Sequence, residues 1–305
     1  MGFPAGPLSA FGPADNPLTE AGAQLGKRLF FEKRLSRTGD VACATCHEQQ
    51  HAFSDPRPVS LGVEGRAGTR NAPSLVNLAW GQHFFWDGRV RTLEEQTGKP
   101  IENPVEMDLP IADAVARLAA DHRYDGAFQA AYGIPASEEA LRKALASFLR
   151  TLVSGQSPYD RFLAGDESAL DLAAKRGAAL FFGKAACFHC HPPGALTNDG
   201  FFNNGTYVEG GDLGRQAVTG RPGDLGKFKV PGLRNVAVSA PYMHDGSLAS
   251  LADVIDQYDH GGRGDRSADA LIEPLALSDD EKGDVLSFLL ALTDAAFLTD
   301  RRFQP

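Results

Sequence analysis

No stretch of this 305-residue chain is apolar over the ~18–20 residues that a bilayer-spanning helix requires, so no segment reads as transmembrane. A basic excess is absent too. The 39 acidic residues outweigh 30 lysines and arginines, and the net charge of −9 argues against nucleic acid as a partner while tolerating a basic protein. The opening MGFPAGPLSAFGPADNP lacks a charged n-region followed by an apolar stretch, so it does not read as a signal peptide. Alternating strand patterns are few. Cysteine is scarce, with 4 residues, and none of them stands alone. What remains suffices for folding: 43% hydrophobic residues can build buried cores, and the length suits one large domain or two of ordinary size.

The cysteines fall in two pentads, Cys43-Ala44-Thr45-Cys46-His47 and Cys187-Phe188-His189-Cys190-His191. CxxCH is the attachment signature of c-type haem: the cysteine pair forms thioethers to the porphyrin and the adjacent histidine supplies an axial nitrogen to iron. A structural zinc site would place its cysteine pairs roughly 15–20 residues apart, far closer than Cys46 and Cys187. Two redox CxxC motifs would need strand–helix contexts and would leave both histidines to coincidence. A disulfide within each CxxC would be strained and would also leave the histidines unexplained. The expectation is two covalently bound haem c groups, on Cys43 and Cys46 with His47, and on Cys187 and Cys190 with His191.

The segments before the pentads look like an internal repeat: Gly26-Lys27-Arg28-Leu29-Phe30-Phe31 and Gly177-Ala178-Ala179-Leu180-Phe181-Phe182. Each closes an apolar-periodic stretch that reads as helix. Ser137 caps a predicted helix with Glu138 and Glu139 in its first turn and Leu141, Leu145, Phe148 and Leu152 on one face. Ser278 with Glu281 forms a capping box ahead of Val285, Leu286 and Leu289. After Ser250, the spacing of Leu251, Val254, Ile255 and Tyr258 predicts another helix, with Tyr258 turned inward. Long Gly/Pro-rich loops such as 192–227 lie between. The predicted fold is mainly α, two cytochrome c-like haem domains with long irregular loops. The expected division is an N-terminal extension over 1–16, the first haem domain over 17–160 and the second over 161–305. The connecting stretch 154–166 carries aromatics that suggest packing against a domain.

The stretch from Thr69, TRNAPSLVNLAWGQHFFWDGRVRTLEEQTGKPIENPVEM, is dense in groups able to do acid–base work. With both pentads, and with RNAPS, FWDGR, LEEQ, NPVEM, KVPGLRN and APYMHDGS in that order from about Gly26 to Gly262, the chain resembles the bacterial di-haem cytochrome c peroxidases. That superfamily includes the methylamine-utilisation enzyme MauG. The resemblance implies a peroxidatic role for the haem on His47, with Glu106 as distal acid–base carboxylate and Gln96 as its neighbouring amide. Heterolysis of peroxide needs one group to take a proton from one oxygen and return it to the other, and an amide can donate to the bound oxygen. Without the resemblance, Glu106 would read as a solvent-facing glutamate. Trp86 of FWDGR matches a tryptophan that relays electrons between the haems; on its own it would read as a core aromatic. A calcium ion is also implied, held by the Asn71 side chain and the backbone carbonyls of Ser239 and Pro241.

Composition offers Met243, His244, Tyr258 and His260 as the second axial ligand of the haem on His191. The resemblance selects Tyr258, where ordinary members carry methionine and the MauG type carries tyrosine, an axial ligand as in catalase. Ordinary members often carry a loop histidine that blocks the peroxidatic iron until the other haem is reduced. Here Val63, within Ser60-Leu61-Gly62-Val63-Glu64-Gly65, stands at that position and cannot ligate; His51 and His83 lie outside it. The first haem is therefore expected to be open to peroxide without reductive activation.

The leading expectation is a MauG-like enzyme: hydrogen peroxide takes the di-haem unit to a high-valent state that oxidises a tryptophan or tyrosine of a partner protein by long-range electron transfer. Ala185 stands where MauG has a tryptophan two residues before its second CxxCH, so the exit route or partner should differ. Conversion of methylamine dehydrogenase is not implied; a tryptophan-oxidising di-haem enzyme such as those encoded with methanobactin operons fits as well. The alternative enzyme is a cytochrome c peroxidase fed by a small cytochrome c or copper protein. Glu106 and Gln96 disfavour a non-catalytic electron carrier. Bacterial c-type haem is attached outside the cytoplasm, so the expected location is the periplasm, with a signal peptide already removed.

Overall fold

The computed structural model describes residues 12–265 and 267–305, so the first eleven residues of the opening segment read for a signal peptide lie outside the described residues. The chain is mainly helical and divides into two compact units. The first holds 12–82, Val90–Val153 and Thr299–Pro305; the second holds His83–Arg89 and Ser154–Leu298. The short segment His83–Arg89 thus groups with the second unit, and the last residues of the chain group with the first.

In the first unit, α1 (Glu20–Phe30) begins at Thr19, whose hydroxyl accepts from the Gly22 N–H, and ends with Lys27 and Arg28 where cations favour the helix C-terminus. The first pentad forms the single turn α2 (Cys43–Cys46). Three further helices follow: α3 (Leu93–Glu102), α4 (Ile111–Ala119) and α5 (Ala127–Tyr132). The expected capping at Ser137 opens α6 (Glu138–Thr151), with Leu141, Leu145 and Phe148 buried and Leu152 buried just past its end. Helices α1 and α6 cross at Gly26, where a Cβ would overlap the carbonyl oxygen of Ala144 and lie 2.9 Å from Phe148 Cβ. Only glycine lets the two backbones approach so closely. The rings of Phe30 and Phe148 then meet at 5.1 Å and 55°. Asn16, buried, donates to Glu94 at 2.6 Å and to the Lys143 carbonyl at 3.1 Å, tying the start of the described chain to α3 and α6.

The second unit repeats this arrangement. Its helices include α7 (Pro158–Leu163), α8 (Leu172–Phe182), α9 (Gln216–Thr219), α10 (Leu251–Asp259) and α11 (Asp279–Leu290). A Cβ at Gly177 on α8 would overlap the Asp284 carbonyl oxygen and lie 2.9 Å from Phe288 Cβ. Phe181 and Phe288 meet at 5.2 Å and 57°, nearly the geometry of Phe30 and Phe148. The repeated Gly-x-x-Leu-Phe-Phe is thus one device used twice: glycine lets the helices touch, and the phenylalanine four residues on fills the core beside the contact. The capping box of Ser278 and Glu281 opens α11, and Ser250 with Asp253 opens α10 in the same way. The connecting stretch is packed, because Tyr159 on α7 is buried with its ring 5.1 Å from Phe288, and Asp160 takes Arg234 at 2.6 Å. The glycine-rich loop region also holds a small element that the sequence pattern did not indicate. Strands β1 (Phe201–Phe202) and β2 (Phe228–Lys229) pair antiparallel, with Phe201 opposite Lys229.

Candidate functional site: two CxxCH pentads

Each pentad is one tight turn that brings two sulfurs and an imidazole together. The His47 N–H donates to the Cys43 carbonyl at 3.0 Å, and the His191 N–H to the Cys187 carbonyl at 2.8 Å. Both imidazoles are then oriented by the same trick. His47 Nδ1 lies 2.7 Å from the Phe53 carbonyl oxygen, and His191 Nδ1 lies 2.7 Å from that of Leu196. Phe53 and Leu196 are non-glycine residues in the left-handed region, with φ of 56° and 53°, a costly conformation that turns the carbonyl back onto the ring. Burial holds His47 below the usual histidine range and takes His191 down to about 4, so both rings are neutral near pH 7. With Nδ1–H donated to a carbonyl, Nε2 keeps its lone pair for a metal. The four thiols are unpaired; burial pushes Cys43 and Cys187 up to about 12 and Cys190 to about 11. Two protonated thiols and one outward lone pair per turn are the donor set that a covalent haem takes, so the residues fit the group.

What surrounds the two pentads differs. Beside the first, Glu106 is close enough for its charge to raise the thiols of Cys43 and Cys46. Its position follows from the end of α3. Pro100 cannot donate to the Gln96 carbonyl, and after Glu102 the chain folds back: Glu106 and Asp108 N–H groups return to the Asn103 carbonyl at 3.0 Å each. The Asn103 amide donates to Glu106 Oε1 at 2.5 Å. Gln96 sits half-buried on the same helix, so one continuous piece of chain carries both residues. Val63 is fully buried, and its N–H donates to the Glu106 carbonyl at 2.8 Å. Gly62 beside it has no room for a Cβ against Val105 and Glu106 backbone atoms. The loop bearing Val63 therefore lies directly on the Glu106 backbone. Arg37 and Arg66 brace that contact, each pairing with both Glu64 and Asp108 at 2.6–2.9 Å.

Beside the second pentad lies Tyr258, on α10. Burial pushes its phenol up to about 12, and the Cys190 and Cys187 thiols add to the rise. Asn204 Nδ2 donates to the Tyr258 oxygen at 3.1 Å and contacts Met243 Sδ at 3.3 Å. Of the other candidates, His260 is exposed at the end of α10 with Nδ1 on the Asp256 carbonyl. His244 is buried and stacked on Phe228 at 3.7 Å and 14°. Trp86 is half-buried, and its carbonyl accepts from the Lys229 N–H at 2.7 Å, which joins FWDGR to β2. His83 is engaged with Asp199, at 2.9 Å from its N–H and 3.3 Å from Nδ1. The Asn71 amide donates to the Arg57 carbonyl at 3.0 Å, Ser239 Oγ donates to the Val236 carbonyl at 3.1 Å, and Ala240–Pro241 is a cis peptide. Sequence reasoning missed Asn204 and also Lys229, a half-buried lysine whose charge adds to burial in lowering His191 and which pairs with Asp199 at 3.5 Å. Neither belongs to a spacing pattern; only the tertiary fold brings them to the pentad.

These pentads, each with a carbonyl-oriented histidine, define a c-type protein with two haem sites. A family of di-haem cytochrome c peroxidases matches residues 20–168. The methylamine utilization protein MauG of Methylorubrum extorquens is 43% identical over 293 residues, spanning 94% of this chain and 82% of that protein. The chain belongs to the di-haem cytochrome c peroxidase/MauG family; it is a haem peroxidase, with peroxide as oxidant and two haem c groups. The cytochrome c551 peroxidase of Pseudomonas aeruginosa is 36% identical over 249 residues, 78% of this chain and 72% of that one. A crystal structure of a MauG-like protein associated with microbial copper homeostasis superposes with a TM-score of 0.91 at 38% identity, covering 96% of this chain and 95% of that chain. Among the described residues, no helix is long and apolar enough to cross a membrane.

Proposed function

We propose that the protein is a MauG-like di-haem peroxidase that draws electrons from a tryptophan or tyrosine of a partner protein, with hydrogen peroxide as the terminal oxidant. When bound, the haems supply the redox capacity: each peroxide accepts two electrons and two protons to become two waters, and the partner's aromatic side chains replace the electrons. The residues of the chain divide the remaining work. Cys43, Cys46 and His47 would hold one haem; Cys187, Cys190 and His191 would hold the other, with Tyr258 as its further ligand. Glu106 would take a proton from one peroxide oxygen and return it to the other, while the Gln96 amide would donate to a peroxide oxygen. Val63 offers no donor atom to compete with peroxide. Trp86 relays electrons between the haems. A calcium ion bound by Asn71 and the carbonyls of Ser239 and Pro241 rests on the family resemblance, as does a periplasmic location.

The observation that carries this reading is Tyr258, a phenol close to the Cys187 and Cys190 sulfurs where ordinary family members use methionine. An anionic oxygen donor stabilises oxidised iron, whereas a thioether favours the reduced state suited to electron entry. Ala185, two residues before the second pentad, is buried and aliphatic, so electrons from the partner enter by another route than through that position. The second reading, a peroxidase supplied by a small cytochrome c or copper protein, is favoured by the 36% identity to a cytochrome c551 peroxidase.

Adding stoichiometric hydrogen peroxide to the fully ferric protein separates the two. A prompt reaction giving a long-lived oxidised species with a near-infrared band supports the MauG-like reading. A protein that stays inert until one haem is reduced sinks it and establishes the second.

A further inference from the structure

Asn204 has no part in the proposed peroxidase chemistry, yet two groups able to ligate iron, the Tyr258 phenol and the Met243 thioether, meet at its side chain. The segment around it is pinned. Asn203, fully buried, donates its backbone N–H to Asp269 Oδ2 at 2.6 Å and its amide to Asp265 Oδ2 at 2.7 Å and Ser267 Oγ at 3.0 Å. Its own Oδ1 accepts from the Gly205 N–H at 3.0 Å, and the Gly205 carbonyl accepts from the Arg263 N–H at 3.0 Å. The buried Thr206 hydroxyl donates to Asn204 Oδ1 at 2.7 Å. With its backbone and carbonyl oxygen held, the Asn204 amide has one direction left. It lies 3.1 Å from the Tyr258 oxygen and 3.3 Å from Met243 Sδ. A thioether can only accept, so the group facing Met243 is the nitrogen, and its two hydrogens serve both neighbours.

Met243 is held there deliberately. Its φ of 72° is left-handed, and the turn is closed by the Tyr242 N–H on the Leu248 carbonyl at 2.7 Å and the Gly246 N–H on the Met243 carbonyl at 3.3 Å. A non-glycine residue in that region costs free energy that the surrounding structure must overcome.

We propose that Asn204 is a positioning residue for the sixth coordination position of the second haem: its carboxamide holds the Tyr258 phenol as ligand and keeps the Met243 thioether beside it as the next donor in line. This rests on Tyr258 being the ligand. Hydrogen bonding from the amide withdraws charge from the phenol oxygen, so Asn204 weakens that donor and raises the potential of the second haem above that of a bare phenolate. A thioether in its place would raise it further.

The test uses the holoprotein with both haems attached, reading ferric absorption and electron paramagnetic resonance with a potentiometric titration of the second haem. Tyr258→Phe is expected to give a low-spin histidine–methionine haem with a far-red sulfur-to-iron band and an upward shift in potential. Adding Met243→Leu should abolish that band. Asn204→Leu, with Tyr258 retained, is expected to shift the potential downward and move the phenolate charge-transfer band. Asn204→Asp, which keeps the shape but removes the donor, gives the same reading should the leucine variant fail to load haem. If Tyr258→Phe leaves spectrum and potential as in the parent, the assignment of Tyr258 as ligand fails. If its spectrum changes without a thioether signature, or if both Asn204 variants leave band and potential in place, the proposal for Asn204 and Met243 is overturned while Tyr258 stands as ligand.

Discussion

The two units share a scaffold and differ in what they set against it. In both, a glycine lets two helices touch, a pair of phenylalanine rings fills the core at nearly the same distance and angle, and a left-handed residue turns its carbonyl onto the pentad histidine. Beside the first pentad lie a carboxylate and a buried valine whose N–H donates to that carboxylate residue's own carbonyl. Beside the second lies a phenol, joined to a thioether by one bridging amide. The lesson is that the attachment turn specifies where a haem sits, and loops remote in sequence decide what can approach it.

The comparison breaks most severely if the sulfurs are removed. Replacing Cys43 and Cys46 by alanine should leave one covalent haem, read as the loss of one haem mass from the intact protein, and should abolish the reaction with peroxide. Replacing Cys187 and Cys190 should cost the same mass while leaving a peroxide-reactive first site that no longer yields the near-infrared band. Equal losses of peroxide reactivity in both variants would contradict the proposed division of labour. Next in size, Glu106→Gln should keep both haems but slow the reaction with peroxide by roughly 10²–10⁴-fold, the usual weight of a general acid–base. A rate within a few fold of the parent in stopped flow would remove Glu106 from the mechanism.

The scaffold itself gives a matched pair. Gly26→Ala and Gly177→Ala each force a methyl group into a backbone carbonyl at the helix crossing. Each should destabilise its unit by about 1–3 kcal/mol, as overpacking does. Hydrogen exchange followed by peptide should show faster opening in α1 and α6 for the first variant and in α8 and α11 for the second. Protection that changes in the wrong unit, or in neither, would mean that the repeat in sequence is not a repeat in energetics.

Much of this scaffold is legible in the sequence because it depends on local rules. The pentads, the repeated Gly-x-x-Leu-Phe-Phe and the caps at Ser137 and Ser278 each declare themselves within a few residues. Glu106, Gln96, Trp86 and Tyr258 could be singled out only through a family resemblance, since a glutamate or tyrosine carries no local mark of its surroundings. Two features were beyond either route. The grouping of His83–Arg89 with the second unit depends on backbone hydrogen bonding between Trp86 and Lys229, far apart in sequence. The left-handed conformations of Phe53, Leu196 and Met243 contradict local preference, which would have placed glycine or asparagine there.

The smallest expected difference lies immediately past the shared phenylalanines, where the first unit has Glu32 and the second has Gly183. Glu32 accepts from Arg34 Nε at 2.9 Å, Arg34 Nη2 at 2.6 Å and the Tyr124 hydroxyl at 3.0 Å. The Arg34 guanidinium holds its carboxyl down at about 2, against an ordinary value of 4.5. Because the folded value is the lower one, the stabilisation is complete above about pH 4.5 and is lost as pH falls toward about 2. The pair is partly solvated, so its weight is about 1 kcal/mol and not the full linkage value. Acidification from pH 5 to pH 3 should therefore weaken the first unit through a term that the second unit lacks at this position. Glu32→Gln should cost about 1 kcal/mol at pH 7 and flatten the dependence in that window. Peptide-resolved exchange, corrected for the intrinsic pH effect, reads both units in one sample. If Glu32→Gln leaves the acid sensitivity of α1 and α5 as it was, the carboxylate at this position is not what distinguishes the two units in acid.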